Sequence, residues 1–335
     1  MNLLFTCAGR RHYLLQFFKQ ELQGQGSVFA ADMQLSAPAM AVADRRFRVP
    51  AISDPTYVDA VLALCRDHAV DALIPLNDLE LPILAARRRD FTEAGTTLLL
   101  SDASVVHIAF DKCATVTFAE SVGLRTPRTF THLTTALEAI AHETLRFPVV
   151  VKPRWGSASI GVDYAETTDE LTWAHALLTR KLQRTILAEA SASDADQAIL
   201  IQERIAGVEY GIDILNDLAG NPVQVYVKEK LAMRAGETDK AVLRNRPDLE
   251  RFGWRIGSAL RHVGNLDCDV IDRNGELVLL EMNPRFGGGY PFTHLAGGNY
   301  VAALLAWLRG APVDPAIFTK DFTSIWAKSD TVISV

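Results

Sequence analysis

Apolar residues along the first hundred positions fall into short blocks separated by polar, amphipathic stretches. Leu3 to Cys7 is an apolar run ending in Ala8-Gly9-Arg10-Arg11 and followed by an amphipathic segment to about Glu21, which predicts strand, glycine turn and helix. The rhythm repeats: a strand over Ser27 to Ala31 ending on Asp32, a helix over Thr56 to His68, a strand over Ala72 to Pro75, a helix over Glu80 to Ala94 and a strand over Thr97 to Leu100. Strands alternating with helices predict an open parallel sheet, whose ligands bind beyond the carboxyl ends of the strands. The Gly9 turn and Asn77-Asp78-Leu79-Glu80 both fall at that edge.

After Ser101 the pattern changes. A helix over Asp111 to Ser121, a Gly-Leu-Arg-Thr-Pro break, a helix from Thr134 to about Glu143 and a strand over Phe147 to Lys152 read as the start of another unit, continued by a helix over Asp169 to Leu182 and a strand over Ala198 to Gln202. Antiparallel runs follow at Tyr210 to Leu215, Val223 to Val227, Cys268 to Asp272 and Glu276 to Glu281, with hairpin turns at Asn216 to Gly220 and Arg273-Asn274-Gly275. The stretch after Pro315 has no readable pattern.

The chain has 335 residues, 49% apolar and 22% charged, enough for two or three packed units. A formal charge of −6 without long like-charge runs argues against a nucleic-acid partner. Cys7, Cys65, Cys113 and Cys268 lie far apart with no C-x-x-C pair, which argues against a disulfide framework or a zinc site. Arginines follow rather than precede the first apolar run, and no apolar stretch has the length of a membrane span, so a cytoplasmic protein is expected.

Candidate chemistry concentrates in Asp269-Val-Ile-Asp-Arg-Asn-Gly-Glu-Leu-Val-Leu-Leu-Glu281-Met-Asn283-Pro-Arg285. Side chains two apart in a strand share a face, so Glu281 and Asn283 emerge together opposite Asp269, and three oxygen donors converge. Such donors suit Mg²⁺, a hard cation that takes its remaining ligands from water and phosphate. A solvated hairpin accounts for the Asn-Gly turn but not for carboxylates closing an apolar strand.

This stretch resembles the metal-binding signature of the ATP-grasp superfamily, shared by biotin carboxylase and the carbamoyl-phosphate synthetase large subunit. The resemblance implies that Asp269, Glu281 and Asn283 bind one or two Mg²⁺ ions, with Mn²⁺ as an alternative, and that Arg285 holds the transferring phosphoryl group or an acyl phosphate. Asp269 stands where the family more often has Glu.

Upstream, Phe147 to Lys152 delivers a lysine into the small-residue loop Gly156-Ser157-Ala158-Ser159-Ile160-Gly161, a phosphate cradle or an ordinary connector. By resemblance Lys152 and Lys112 contact the nucleotide, and Gly156, Ser157, Ser159 and Gly161 fold over its phosphates. Gln202, Glu203 and Ile205 are implied at adenine and Glu209 on the ribose. The polar run Lys228 to Glu237 reads as a mobile loop whose cations, Lys228 or Lys230 and Arg234, reach ligand on closure, or as a solvated loop. Gly287, Gly288 and Gly289 are expected to aim backbone N–H groups at a substrate anion, and His294 is a candidate general base toward an amine or, as a lone histidine more often is, a structural residue. Arg10, Arg11 and Glu80 are expected at the substrate, the arginines on an anion and Glu80 on an amine, with interdomain salt bridges as the alternative.

The implied fold is α/β: a Rossmann-like pre-ATP-grasp substrate domain (1–105), a connecting helix (106–126), an ATP-grasp lid (127–200) and a large subdomain with the metal site (201–335). It looks like carbamoyl-phosphate-synthetase-like and pyrrolysine-biosynthesis-like ligases. The implied activity is ATP-dependent ligation of a small carboxylate to an amine through an acyl phosphate. A kinase- or carboxylase-like enzyme and a nucleotide-binding regulator are the alternatives, and a homodimer is open.

Overall fold

The computed structural model describes residues 1–156, 159–192, 194–330 and 332–334; Ser157 lies outside them. Strands β1 (Asn2–Thr6), β2 (Ser27–Asp32), β3 (Arg45–Arg48), β4 (Ala72–Pro75) and β5 (Thr97–Leu98) form a parallel sheet in the order β3-β2-β1-β4-β5. Leu3, Leu4 and Phe5 are all inaccessible because helices cover both faces, which is why β1 is continuously apolar. The helix His12–Leu22 packs on one face, and Tyr57–Asp67 with Leu81–Ala86 on the other. The strand order reverses at β1 and β4, so their carboxyl ends open the crevice where this architecture binds ligands.

The sequence pattern misses β3, an edge strand that exposes Arg45, Arg46 and Arg48. The helix expected over 80–94 is two, Leu81–Ala86 and Arg88–Glu93. Leu81, Leu84 and Ala85 face the core, and a straight continuation would aim Arg88 after them. With the break at Arg87, Phe91 is buried and Arg88 donates to the carbonyls of Leu98 and Ser101.

Helices Ala103–Phe110 and Lys112–Ser121 lead to a small sheet of β6 (Thr129–Phe130), β7 (Val149–Pro153), β8 (Asp163–Ala165) and β9 (Ile199–Glu203), in the order β6-β9-β7-β8. Strand β9 lies wholly in this sheet, so the boundary drawn after residue 200 cuts through it. Helices Leu133–Ala141 and Thr168–Leu182 back the sheet.

The third sheet is antiparallel throughout: β10 (Val208–Asn216), β11 (Pro222–Arg234), β12 (Glu237–Leu243), β13 (Gly264–Arg273), β14 (Glu276–Asn283) and β15 (Ile325–Ala327), in the order β14-β13-β10-β11-β12-β15. The expected mobile loop over 228–237 is instead the far half of β11 and its hairpin turn. Lys228 and Lys230, two apart, share the inward face, where carboxylates satisfy them, while Leu231, Met233 and Arg234 stay exposed, so a polar run is a strand with one buried face.

The helix Pro247–Leu260, unmarked in the sequence pattern, buries Leu249, Phe252, Ile256 and Leu260 against β10 and β11. Its Gly253 and Gly257 hide the periodicity but permit close approach, since a Cβ at Gly253 would lie 2.7 Å from Val225 Cγ1. The unassigned C-terminal stretch supplies β15, paired with β12. Among the described residues, no helix is long and apolar enough to cross a membrane.

Candidate active site

A cleft of about 630 Å³ lies between the small sheet and the six-stranded sheet. Lys112, Lys152, Gly156, Ser159, Gln202, Glu203, Ile205, Glu209, Asp269 and Glu281 all line it, although they come from four separate stretches of chain. Trp155, Ile160, Val162, Met233, Ile271 and Leu280 add apolar surface suited to a planar ring.

At one end Lys112 and Lys152 stand close together. Lys152 projects from β7, and burial together with the Lys112 charge lowers its pKa to about 8, although the Glu281 and Asp269 carboxylates oppose the shift. Lys112 follows Asp111, the N-cap of its helix, and its Nζ donates to the Gly156 carbonyl at 2.6 Å. Asp111 also accepts both forks of Arg154 at 2.7 Å, fixing the helix start against the end of β7. Two ammonium groups sharing a partly dry pocket favour a polyanion between them.

Along the middle of the cleft, Gln202 and Glu203 present backbone more than side chain. The Gln202 amide donates to Thr129 Oγ1 at 2.7 Å, and Glu203 pairs with Arg273 at 3.0 Å. Glu209 accepts from Lys230 at 2.7 Å, and Lys230 also reaches Asp269 at 2.6 Å.

The acidic end is set by the β13–β14 hairpin. Its register places Asp269 opposite Glu281 and Asp267 opposite Asn283, with an irregularity next to Asp269 that brings Leu280 and Glu281 both to the cleft. Burial raises the Asp269 pKa; Lys230 opposes that shift, while Asp267 and Glu281 add to it. Asp267 is raised by burial and by Asp213 in the same way. Asp267, two residues before Asp269 on the same strand face, is a site carboxylate that the sequence motif does not single out and only this spacing signals.

Among the described residues no three His, Cys, Asp or Glu side chains group as a ready metal site. The donor set nonetheless fits Mg²⁺ in kind: hard oxygens, few in number, carrying excess negative charge that a cation would relieve. A narrow crevice next to the cleft shares Lys112, Gly156 and Glu281 with it and is also lined by Asn283 and Asp78. Beyond it Arg285 is buried, with Nη2 2.6 Å from Asp78 and Nη1 3.7 Å from Asp267.

Several expected site residues lie elsewhere. Lys228 is buried outside the cleft, bonded to Asp213 and 3.2 Å from Thr293 Oγ1. Gly161 packs on Leu178 and Pro153. Arg234 lies at the exposed hairpin end, 2.9 Å from Asp239 and 2.6 Å from Asp330. The His294 ring stacks on Phe17 with centroids 3.8 Å apart and contacts Tyr290 Oη at 3.0 Å; burial pushes its pKa down to about 4, so it is a neutral packing group.

Glu80 is inaccessible, not open to an amine. It accepts from Tyr57 Oη at 2.6 Å and from the backbone N–H groups of Leu76 and Asn77 at 3.0 Å, because the turn after β4 needs an internal acceptor. The acidic residue this turn extends to the site is Asp78. Arg10 is exposed and 3.3 Å from Asp330, whereas Arg11 donates to the Leu76 carbonyl at 2.7 Å and lies 3.9 Å from Glu237. Gly287 backs onto the Asp267 carboxylate, and Cβ atoms at Gly288 and Gly289 would lie 2.9 Å from Glu237 Cδ and 3.1 Å from Lys228 Cε. Close approach of these side chains accounts for the glycine run.

Residues 3–99 match the PylC-like N-terminal domain and residues 145–253 the ATP-grasp domain. The carbamoyl phosphate synthase large chain of Gemmatimonas aurantiaca is 26% identical over 285 residues, 79% of this chain and 24% of that protein. The chain thus spans about a quarter of the length of the synthase large chains it matches. Pyruvate carboxylase of Rhizobium etli superimposes with a TM-score of 0.76 at 18% identity, over 96% of this chain and 29% of that one. L-amino acid ligase from Bacillus licheniformis does so with a TM-score of 0.72 at 19% identity, over 96% and 78%. These likenesses establish a common α/β fold, an N-terminal domain followed by an ATP-grasp-like fold. The chain therefore carries a PylC-like N-terminal domain followed, in the expected order, by an ATP-grasp domain.

Proposed function

We propose that the protein is an ATP-dependent carboxylate-amine ligase working through an acyl phosphate, with release of ADP and phosphate. The observation that carries this reading is continuity: the cleft lined by Lys112, Lys152 and Glu209 ends on Asp269 and Glu281, and the crevice beyond leads past Asn283 to Asp78, beside Arg285. Nucleotide would lie in the cleft and the acceptor substrate at the crevice between β1 and β4. The likeness to an L-amino acid ligase supports amide formation over simple phosphorylation.

In this reading Lys112 and Lys152 neutralise phosphate oxygens, the backbone around Gly156 and Ser159 covers them, and the edge from Gln202 to Ile205 holds the base with Glu209 on the ribose. Asp269, Glu281 and Asn283 would hold Mg²⁺, which neutralises phosphate charge when bound. Arg285 donates to the equatorial oxygens of the phosphoryl group while the substrate carboxylate attacks phosphorus and ADP departs. Attack of the amine on the acyl carbon then expels phosphate. Lys230, already between Glu209 and Asp269, orients both carboxylates. Arg11, held on the Leu76 carbonyl after β4, is the cation the first domain offers to this path, and His294, Arg234 and Lys228 take no part in it.

ADP release measured with Mg·ATP against a panel of acids and amines tests the reading. ADP formed only when an acid and an amine are both present supports it. ADP formed with an acid alone, without stimulation by any amine, makes the enzyme a kinase, and none with any pair makes it a nucleotide-binding protein.

A further inference from the structure

A buried guanidinium has five N–H donors to satisfy, and what it pairs with fixes where its remaining donors point. Within its own hairpin Arg285 has weak partners: Nη1 lies 3.7 Å from Asp267 and donates to the Phe286 carbonyl at 3.3 Å. Its shortest contact comes from 207 residues earlier in the chain, where Asp78 accepts from Nη2 at 2.6 Å. Both side chains of that pair are at most 8% exposed. The Nε–H is buried without a partner.

The loop carrying Asp78 is rigidly built. Glu80 ties the backbone N–H groups of Leu76 and Asn77 to Tyr57, and Asn77 Oδ1 caps the N–H of Leu79 at 3.0 Å. The aspartate is thus held at the carboxyl end of β4 by bonds internal to the first domain, while the arginine it grips belongs to the metal hairpin.

We infer that Asp78 is the positioning residue for Arg285: with Asp267 it fixes the guanidinium plane by the terminal nitrogens and leaves the Nε edge for an oxyanion. Arg285 is therefore aligned only while the first domain is docked on the hairpin, which couples the substrate side of the molecule to phosphoryl transfer. The inference rests on the role of Arg285 in the proposed ligase reaction. Asp78 is outside the lining of the nucleotide cleft, so its loss acts on the chemical step and not on ATP binding.

The test is a cycle of Asp78→Asn, Arg285→Lys and the double variant, assayed for ADP release with Mg·ATP and the acid and amine that stimulate the wild-type enzyme. Asp78→Asn, which keeps shape and removes charge, is expected to lower kcat by about tenfold or more with the KM for ATP unchanged within about twofold. In the Arg285→Lys background the same change should cost less than about twofold, because its effect passes through Arg285. Equal losses in both backgrounds overturn the inference. Crystal structures of the wild type and Asp78→Asn give a readout independent of turnover: the guanidinium should leave its present plane, and an unmoved side chain overturns the inference. Should Asp78→Asn fail to fold, Asp78→Glu, which keeps the charge one methylene further out, should show the same loss of kcat and the same displacement. Wild-type protein that makes no ADP with any pair strikes down the ligase reading, while the crystal structures still decide the positioning.

Discussion

Glu80 separates a substrate contact from a structural acceptor, and Glu80→Ala tests which it is. In the structure its carboxylate serves three donors: Tyr57 Oη and the N–H groups of Leu76 and Asn77. Tyr57 and Leu76 are buried, so truncation strands at least those two donors away from water, at about 1–3 kcal/mol each. Burial also raises the Glu80 pKa, so removing the carboxylate relieves part of its desolvation, and a net loss of about 3 kcal/mol is the working value. For a unit of about 100 residues, the size of the first domain, that is a fall of roughly 12–24 °C in its melting temperature. Glu80→Gln keeps an acceptor oxygen for the backbone pair and should lose about a third as much. Thermal melts of the three proteins, with Michaelis constants taken well below the transitions, decide the matter. A Glu80→Ala protein that melts within about 1 °C of the wild type while its KM for the amine rises would refute the structural role.

Glu281→Gln should lower Mg²⁺-dependent ADP formation by about a hundredfold with nucleotide affinity little changed, and near-normal ADP release by this variant would remove Glu281 from the metal set. In Gly287→Ala the new methyl group displaces the Asp267 carboxylate beside Arg285, so a stability loss of about 1–3 kcal/mol should accompany reduced turnover, larger than for Gly288→Ala, whose neighbour is the half-exposed Glu237; equal effects in the two variants count against the close-packing account. His262 is inaccessible, its Nε2 contacts the Ile214 carbonyl, and burial pushes its pKa down to about 4, below the roughly 6.5 of an unfolded chain. Its contribution is therefore complete above pH about 6.5 and is lost as pH falls toward about 4, because the unfolded state takes up the proton first. Urea titrations should show about 3 kcal/mol of this pH dependence in the wild type and none of that portion in His262→Gln.

Local pattern along the chain specifies part of this fold. Continuous apolar strands between amphipathic helices required a parallel sheet covered on both faces, and the Asn-Gly turn between alternating runs required the hairpin that carries Asp269 and Glu281. Lys152 near the end of β7 and the strand read as ending at Gln202 were likewise legible, and Lys152 and Gln202 both line the cleft.

Tertiary structure decided which charges face which. A period of two tells which residues share a strand face but not whether a distant carboxylate waits there, so Lys228 and Lys230 read as cations of a mobile or solvated loop although Asp213, Glu209 and Asp269 pair with them inside the sheet. Glu80 and Asp78 are two residues apart in one turn with similar chemistry. Only the packing of Tyr57 over that turn draws Glu80 inward, and only the approach of the hairpin gives Asp78 an arginine, since a charge leaves water only where a partner of opposite sign has been brought to meet it.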